Sequence, residues 1–463
     1  MYRPRSVIVS AILFLYIYLS DVLFRSASSQ SFVGINYGEV ADNLPPPSST
    51  AKLLQSTTIT KLRLYGVNPP ILHSLANTGI SVIISTSNAD IPSLAADPSY
   101  SSSWVKANIL PFHPLTTIST ISVGNEVFLY KDNNLNAHLL GAMENLHSAL
   151  VAHSLDARIK ISTVHPMSII TQSDPPSAAL FDPNILDVIK PVVSFLQRTG
   201  GSFMINPYPY FAYQTDPTPE TLAFCLFQPN KGRFDSGSGY TYANMFDAQV
   251  DAVRWALRRI GSDEVDVVVA ETGWPYRGDD GEKGASLENA KAYNGNLVAH
   301  LRSMIGTPLM PGKSVDTYLF ALYDEDLKMG HLSERSFGIY RNDLTMMYDV
   351  ALGHQPSPER TDPETSGNMQ DGGRWCVPKE DVTVESRLQR NVDYACGQPG
   401  VDCRKIQPGG ECYQPNTVAS HAAYAMNLLY QISEKQSWNC DFDQTGTVTD
   451  KDPSYDKCVY PRN

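Results

Sequence analysis

The chain has 463 residues, a formal net charge of −12 and 42% apolar residues. That acidic balance argues against nucleic acid or an anionic membrane as the partner and leaves a neutral polymer compatible. The length exceeds what one hydrophobic core normally holds, so a large and a smaller domain are expected.

In chain order, Arg3 and Arg5 precede an apolar run from Val7 to Leu19, and small residues Ser26 to Ser29 follow. This is the order of a secretory leader, with cleavage expected near Ser29 or Gln30. Asp21 and Arg25 interrupt the run too early for a membrane anchor. The far end, Val459 to Asn463, is polar and lacks the apolar tail of a lipid-anchor signal. A secreted protein without a stable membrane anchor is expected.

Apolar, β-rich runs then recur at Phe32 to Tyr37, Ile59 to Tyr65, Ile80 to Ser85, Ile118 to Val127, Arg158 to Val164, Phe203 to Tyr208, Val265 to Ala270 and Val315 to Tyr323. Helix-like stretches separate them, best seen at Asn134 to Ser154 and Tyr242 to Ile260, where Phe246, Val250, Val253, Leu257 and Ile260 keep helical spacing. Eight strands alternating with helices suit an α/β fold, a (β/α)8 TIM barrel over residues 30–355. A doubly wound open sheet is the rival, but no Gly-rich phosphate loop follows the first strand.

A barrel of this kind gathers its chemistry on the loops after the strands. Val267 to Ala270 runs into Glu271, Gly273, Trp274 and Pro275, and Thr120 to Gly124 runs into Asn125 and Glu126. A carboxylate at the end of an apolar strand is costly unless partners or a function justify it. Two such glutamates are the minimum equipment for glycoside hydrolysis. Tyr37, Tyr65, Tyr208, Trp274, Tyr323 and Glu325 also fall at strand ends, so aromatic faces and hydrogen-bonding groups suited to a neutral sugar converge there.

The stretches Glu271 to Pro275, Val123 to Val127, Gly34 to Gly38, Asn206 to Phe211, Asn244 to Ala252 and Phe320 to Lys328 resemble the plant endo-1,3-β-glucanases of glycoside hydrolase family 17. The resemblance runs in order from about residue 32 to residue 350. It implies a (β/α)8 fold and a retaining, double-displacement mechanism on 1,3-β-glucan, with Glu126 as acid/base and Glu271 as nucleophile. It also implies a charged pair, Glu325 and Lys328, supporting these carboxylates. Tyr37, Asn125, Tyr208, Trp274, Glu325 and Lys328 are expected to line the substrate site, with the Asn125 amide on a sugar hydroxyl. Two departures stand out: Gly66 where the family often has aspartate, and Met329 where proline is common.

From Pro356 to Gly373 hardly any residue is apolar, which reads as a linker. Six of the seven cysteines follow it: Cys376, Cys396, Cys403, Cys412, Cys440 and Cys458. In a secreted chain they mark a disulfide-stapled module over residues 374–463, and six cysteines allow 15 pairings. The remaining Cys225 is expected as a buried free thiol. Residues around Trp375, Cys396, Cys412, His421 to Asn427 and Cys440 resemble carbohydrate-binding module family 43. That resemblance implies the pairs Cys376–Cys440, Cys396–Cys403 and Cys412–Cys458 and an affinity for 1,3-β-glucan. Tyr424, Leu428 and Ile432 are expected in the module's core.

A secreted endo-hydrolase of 1,3-β-glucan follows, with a transglycosylase or a catalytically silent glucan-binding wall protein as alternatives. No metal, cofactor or nucleic acid is expected, the protein is expected to be a monomer, and no Asn-x-Ser/Thr sequon occurs.

Overall fold

The computed structural model describes residues 33–130, 132–353, 374–379, 385–396, 398, 401–433, 435, 437–442 and 445–462. The expected leader and linker lie outside them. The chain divides into two compact units, residues 1–356 and 357–463.

In the first unit all eight expected strands form, as β1 (Val33–Tyr37), β2 (Lys61–Leu64), β3 (Ser81–Thr86), β4 (Thr117–Asn125), β5 (Lys160–Pro166), β6 (Phe203–Asn206), β7 (Val267–Thr272) and β8 (Thr317–Leu319). They close a parallel barrel in sequence order, β8 returning to β1 with Val33 opposite Thr317. The open-sheet alternative is thereby excluded. Period-2 alternation sends Ile35, Leu62, Leu64, Val82, Ile84, Ile121, Val123, Val267 and Val269 outward into the core shared with the helices. Each such fully buried aliphatic side chain contributes about 1.5–3 kcal/mol. The opposite face forms a separate cluster of Ile83, Val164, Met204, Ala270 and Tyr318, which plugs the barrel interior. Tyr318 fits there because β1 presents Gly34, where a Cβ would come within 2.6 Å of the tyrosine ring.

Helix Asn133–Ala152 is capped by the Asp132 side chain, and helix Met245–Arg259 by Asn244 accepting from the Asp247 amide. The latter starts later than the spacing predicts because Tyr242 belongs to a short strand, Tyr240–Tyr242, paired with Arg233–Asp235. Cys225 is buried and free, and burial pushes its thiol pKa up to about 12, so it is an inert packing group.

The second unit pairs Trp375–Pro378 with Gly446–Thr449, packs helix Val418–Ile432 against Trp375–Pro378 and helix Glu385–Cys396 against that helix. Its disulfides are Cys376–Cys440, Cys396–Cys403 and Cys412–Cys458, the pairing implied by the resemblance. Tyr424 lies in the core and Leu428 packs against it. Ile432 does not: it is the last helical residue and is exposed, on the outward face of a turn whose Tyr430 and Gln431 are still buried. Among the described residues no helix is long and apolar enough to cross a membrane.

Candidate active site at the carboxyl ends of the strands

Simple alternation would turn Glu271 outward, since Val267 and Val269 already face the helices. Between β7 and β8, however, Val269 pairs with Thr317 and Thr272 with Leu319, three residues set against two. This β-bulge lets Thr272 face outward, its hydroxyl 2.6 Å from that of Tyr293, while Ala270 and Glu271 both face the barrel axis. The same irregularity occurs in β4, where Ser122 pairs with Ser162 and Asn125 with Val164. There Gly124 (φ 69°) and Glu126 (φ 50°) take left-handed backbone, and Asn125 and Glu126 both reach the mouth. A non-glycine residue held at positive φ is a local cost that marks a constrained position. The Asn88 side chain fastens this turn, donating to the Asn125 carbonyl at 3.0 Å and accepting from its amide at 2.8 Å.

The group that organises the site is Arg63, on the inward face of β2 and fully buried. One guanidinium nitrogen, Nη1, donates to Glu271 Oε1 at 2.6 Å and to the Ala270 carbonyl at 3.2 Å. The other, Nη2, donates to Asn125 Oδ1 at 2.7 Å. Glu271 Oε2 accepts from the Tyr208 hydroxyl at 2.9 Å. A buried carboxylate is tolerable only when paired and hydrogen-bonded in this way.

Glu126 has no such cation. Its Oε1 accepts from Asn206 Nδ2 at 2.9 Å. Burial, and then the nearby charge of Glu271, push its pKa up to about 7. The two glutamates therefore differ in environment, one neutralised by a guanidinium and the other inclined to keep its proton.

Glu325 is buried where β8 leads into its loop, and Oε1 accepts from the Val40 amide at 3.1 Å. Gly38 makes room for it: a Cβ there would lie 2.1 Å from the Glu325 carboxyl carbon. Burial raises the Glu325 pKa and the charge of Lys328 opposes that rise.

A model of the glycosyl hydrolases family 17 matches residues 33–352, and one of the X8 domain matches residues 374–447. The chain belongs to family 17 of the glycosyl hydrolases. It is 56% identical to glucan endo-1,3-beta-glucosidase 7 of Arabidopsis thaliana, over 97% of this chain and 88% of that one. It is 52% identical to the glucan endo-1,3-beta-D-glucosidase of Olea europaea, over 98% of each. Among solved structures, the β-1,3-glucanase and pollen allergen CJP38 of Cryptomeria japonica superposes with a TM-score of 0.66 at 37% identity, covering 70% of this chain and all of that one. One of two plant β-glucan endohydrolases with distinct substrate specificities follows with a TM-score of 0.64 at 34% identity, covering 69% of this chain and all of its own.

Within this family 17 barrel the expected site residues divide into three groups. Glu126, Glu271, Asn125 and Tyr208 converge as expected. Tyr37 and Trp274 are corrected: both are fully buried, so neither offers a ring face to a sugar. Tyr37 packs edge-on against Tyr323, and Trp274 donates through Nε1 to the Gly284 carbonyl among Tyr210, Tyr213 and Tyr293. These two rings seal the end of the barrel rather than line a groove. Lys328 lies near Glu325, yet its ion pair is with Glu334 at 3.2 Å, and its ammonium sits 4.6 Å from the centre of the Phe320 ring. The direct Glu325–Lys328 pair is therefore replaced by a longer-range interaction.

Arg63, Asn206 and Asn88 were not expected. The signal for Arg63 was present: a cation between Leu62 and Leu64 must face the opposite side from both, and in a closed barrel that side is the interior.

Proposed function

We propose that the protein is a glucan endo-1,3-β-glucosidase in which Glu271 attacks the anomeric carbon and Glu126 delivers the proton to the departing sugar oxygen. The observation that carries this reading is the electrostatic contrast between the two carboxyls. Arg63 grips Glu271 Oε1 by a charge-assisted bond, so Oε2, held by a neutral phenol that can release it, is the attacking oxygen. Asn206 donates to Glu126 Oε1, which places the proton on Oε2. After the leaving sugar departs, the same carboxylate takes a proton from water, which opens the glycosyl-enzyme with net retention. Asn125, oriented by Arg63 and Asn88, is positioned to bond a sugar hydroxyl beside the acid.

The pH profile tests the assignment. With a Glu126 pKa of about 7, kcat/KM on laminarin falls above that pH as the acid loses its proton. Glu126→Gln should erase this upper limb. It should slow laminarin far more than an activated aryl glucoside, whose leaving group needs no proton. Equal losses on the two substrates would move the acid elsewhere. The sign for stability is also defined: the folded pKa lies above the unfolded value, so the native state is favoured fully below the unfolded pKa and loses that contribution as pH rises toward 7. Glu126→Gln should therefore raise Tm at pH 8 and leave it nearly unchanged at pH 4.

The domain division 30–355, 356–373 and 374–463 belongs to the same proposal, as do secretion and a glucan-binding role for the second unit. Three disulfides and a core of its own support an independently folded, extracellular module. Residues up to 355 should hydrolyse soluble glucan at nearly the full-length rate, while the 374–463 fragment should sediment with insoluble 1,3-β-glucan until its disulfides are reduced. If truncation slowed soluble and particulate substrates equally, the tail would be a prop for the barrel. Product analysis on laminarin-type oligomers distinguishes water from sugar as the acceptor.

A further inference from the structure

Outside the catalytic carboxylates, a cavity of about 290 Å³ is lined by Arg277, Arg335, Arg341, Asp324, Asp326 and Tyr340, among others. Its walls come from the loops after β7 and β8, with Asn43 from the loop after β1, so it belongs to the catalytic end of the barrel. Three guanidiniums converge there in a chain whose net charge is −12.

Those arginines are not consumed by the two aspartates. Asp324 accepts from the Gly338 amide at 2.8 Å and from the Tyr276 hydroxyl. Asp326 accepts from Asn43 Nδ2 at 2.9 Å and from the Asp42 amide at 3.3 Å. Among the described residues no carboxylate forms an ion pair with Arg277, Arg335 or Arg341. Each arginine is instead anchored through a single nitrogen. Arg277 Nε donates to Ser336 Oγ at 3.0 Å. Arg335 Nη1 donates to the carbonyls of Lys328 and Gly330 at 2.9 and 3.0 Å. Arg341 Nη1 donates to the Met346 carbonyl at 2.9 Å and reaches Thr345 Oγ1 at 3.4 Å. Among the described residues no further acceptor meets the rest of each five-donor fork, in a space large enough for a small ligand group. Asp279 and Asp343 also feel Arg335 and Arg341 from outside the lining, but neither forms a contact ion pair with them, and forks anchored at one nitrogen with donors to spare suit a planar or tetrahedral oxyanion.

We propose that this cavity binds one anionic group, a carboxylate or a phosphate, beside the glucan-binding groove. The site is separate from the bond-breaking machinery and does not depend on the roles proposed for Glu126 and Glu271. A uronic acid unit, as in an acidic oligosaccharide, and free inorganic phosphate present the same chemistry to it. Arg335 also links the site to the Glu325-bearing loop through the Lys328 carbonyl.

Calorimetric titration of the full chain with inorganic phosphate, with trigalacturonate and with neutral laminaritriose tests the inference, alongside Arg277→Gln and Arg341→Gln. At least one of the two anions should saturate a single site with a Kd of about 1 mM or tighter at low salt. Binding should weaken roughly tenfold in each variant and fall with added sodium chloride. Hydrolysis of laminarin without anion should stay unchanged in both variants. Saturation by trigalacturonate alone would assign the site to an acidic sugar, and saturation by phosphate as well or alone to a simple anion. No saturation by either anion, or equal binding by wild type and both variants, would overturn the proposal.

Discussion

Glu271→Gln is expected to fold with wild-type thermal stability to within about 2 kcal/mol and to lose laminarin hydrolysis by about three orders of magnitude or more. The amide is isosteric: its oxygen can still accept from Arg63 while its NH2 faces the Tyr208 oxygen as a donor, but it cannot form the glycosyl-enzyme. The smaller Glu271→Gly leaves a space above Ala270, and added azide should restore turnover there with inverted product, because the anion enters from the face the carboxylate vacates. A rate within tenfold of wild type in Glu271→Gln would remove Glu271 from the mechanism.

Arg63→Met is expected to have the second largest effect, on stability as well as on rate. Deleting one partner of a buried ion pair strands the other charge, at a cost of about 3–5 kcal/mol. Here the same deletion also releases Asn125, since Nη2 is its partner at 2.7 Å. With neither Glu271 nor Asn125 held in place, kcat should fall by about a hundredfold or more. Arg63→Lys should recover much of the stability and little of the rate, because a single ammonium cannot serve Glu271 and Asn125 at once. A Met variant as active and stable as wild type would show that the guanidinium is only filling space.

The barrel was legible from the sequence because eight apolar runs with turn residues between them admit few closures, and every run became a strand of the barrel. Glu126 and Glu271 were legible because each ends such a run. The walls of the site were less so. Tyr37 and Trp274 occupy strand ends like the others, but whether a ring turns to the groove or to the helices depends on the helix packed behind it, which spacing along one strand does not encode. Arg63 was hidden for a related reason: its partners lie on β4 and β7, 62 and 208 residues away, and only closure of the barrel brings them together. The bulges that turn Glu271 and Glu126 inward likewise exist only in the pairing of one strand with the next.

Arg63 also decides what the two halves of the barrel can do apart. Strands β1–β4 and the loops after them carry Arg63, Asn125 and Glu126, while β5–β8 and their loops carry Asn206, Tyr208, Glu271 and Glu325. Each glutamate takes its defining hydrogen bond from the other half: Glu271 from Arg63, Glu126 from Asn206. Neither half-barrel could inherit a working fragment of the chemistry, and a circular permutation would be tolerated only where it leaves both seams shut. Activity is thus a reporter of ring closure, and during denaturation it should vanish at the first seam to open, ahead of the helices that still surround it.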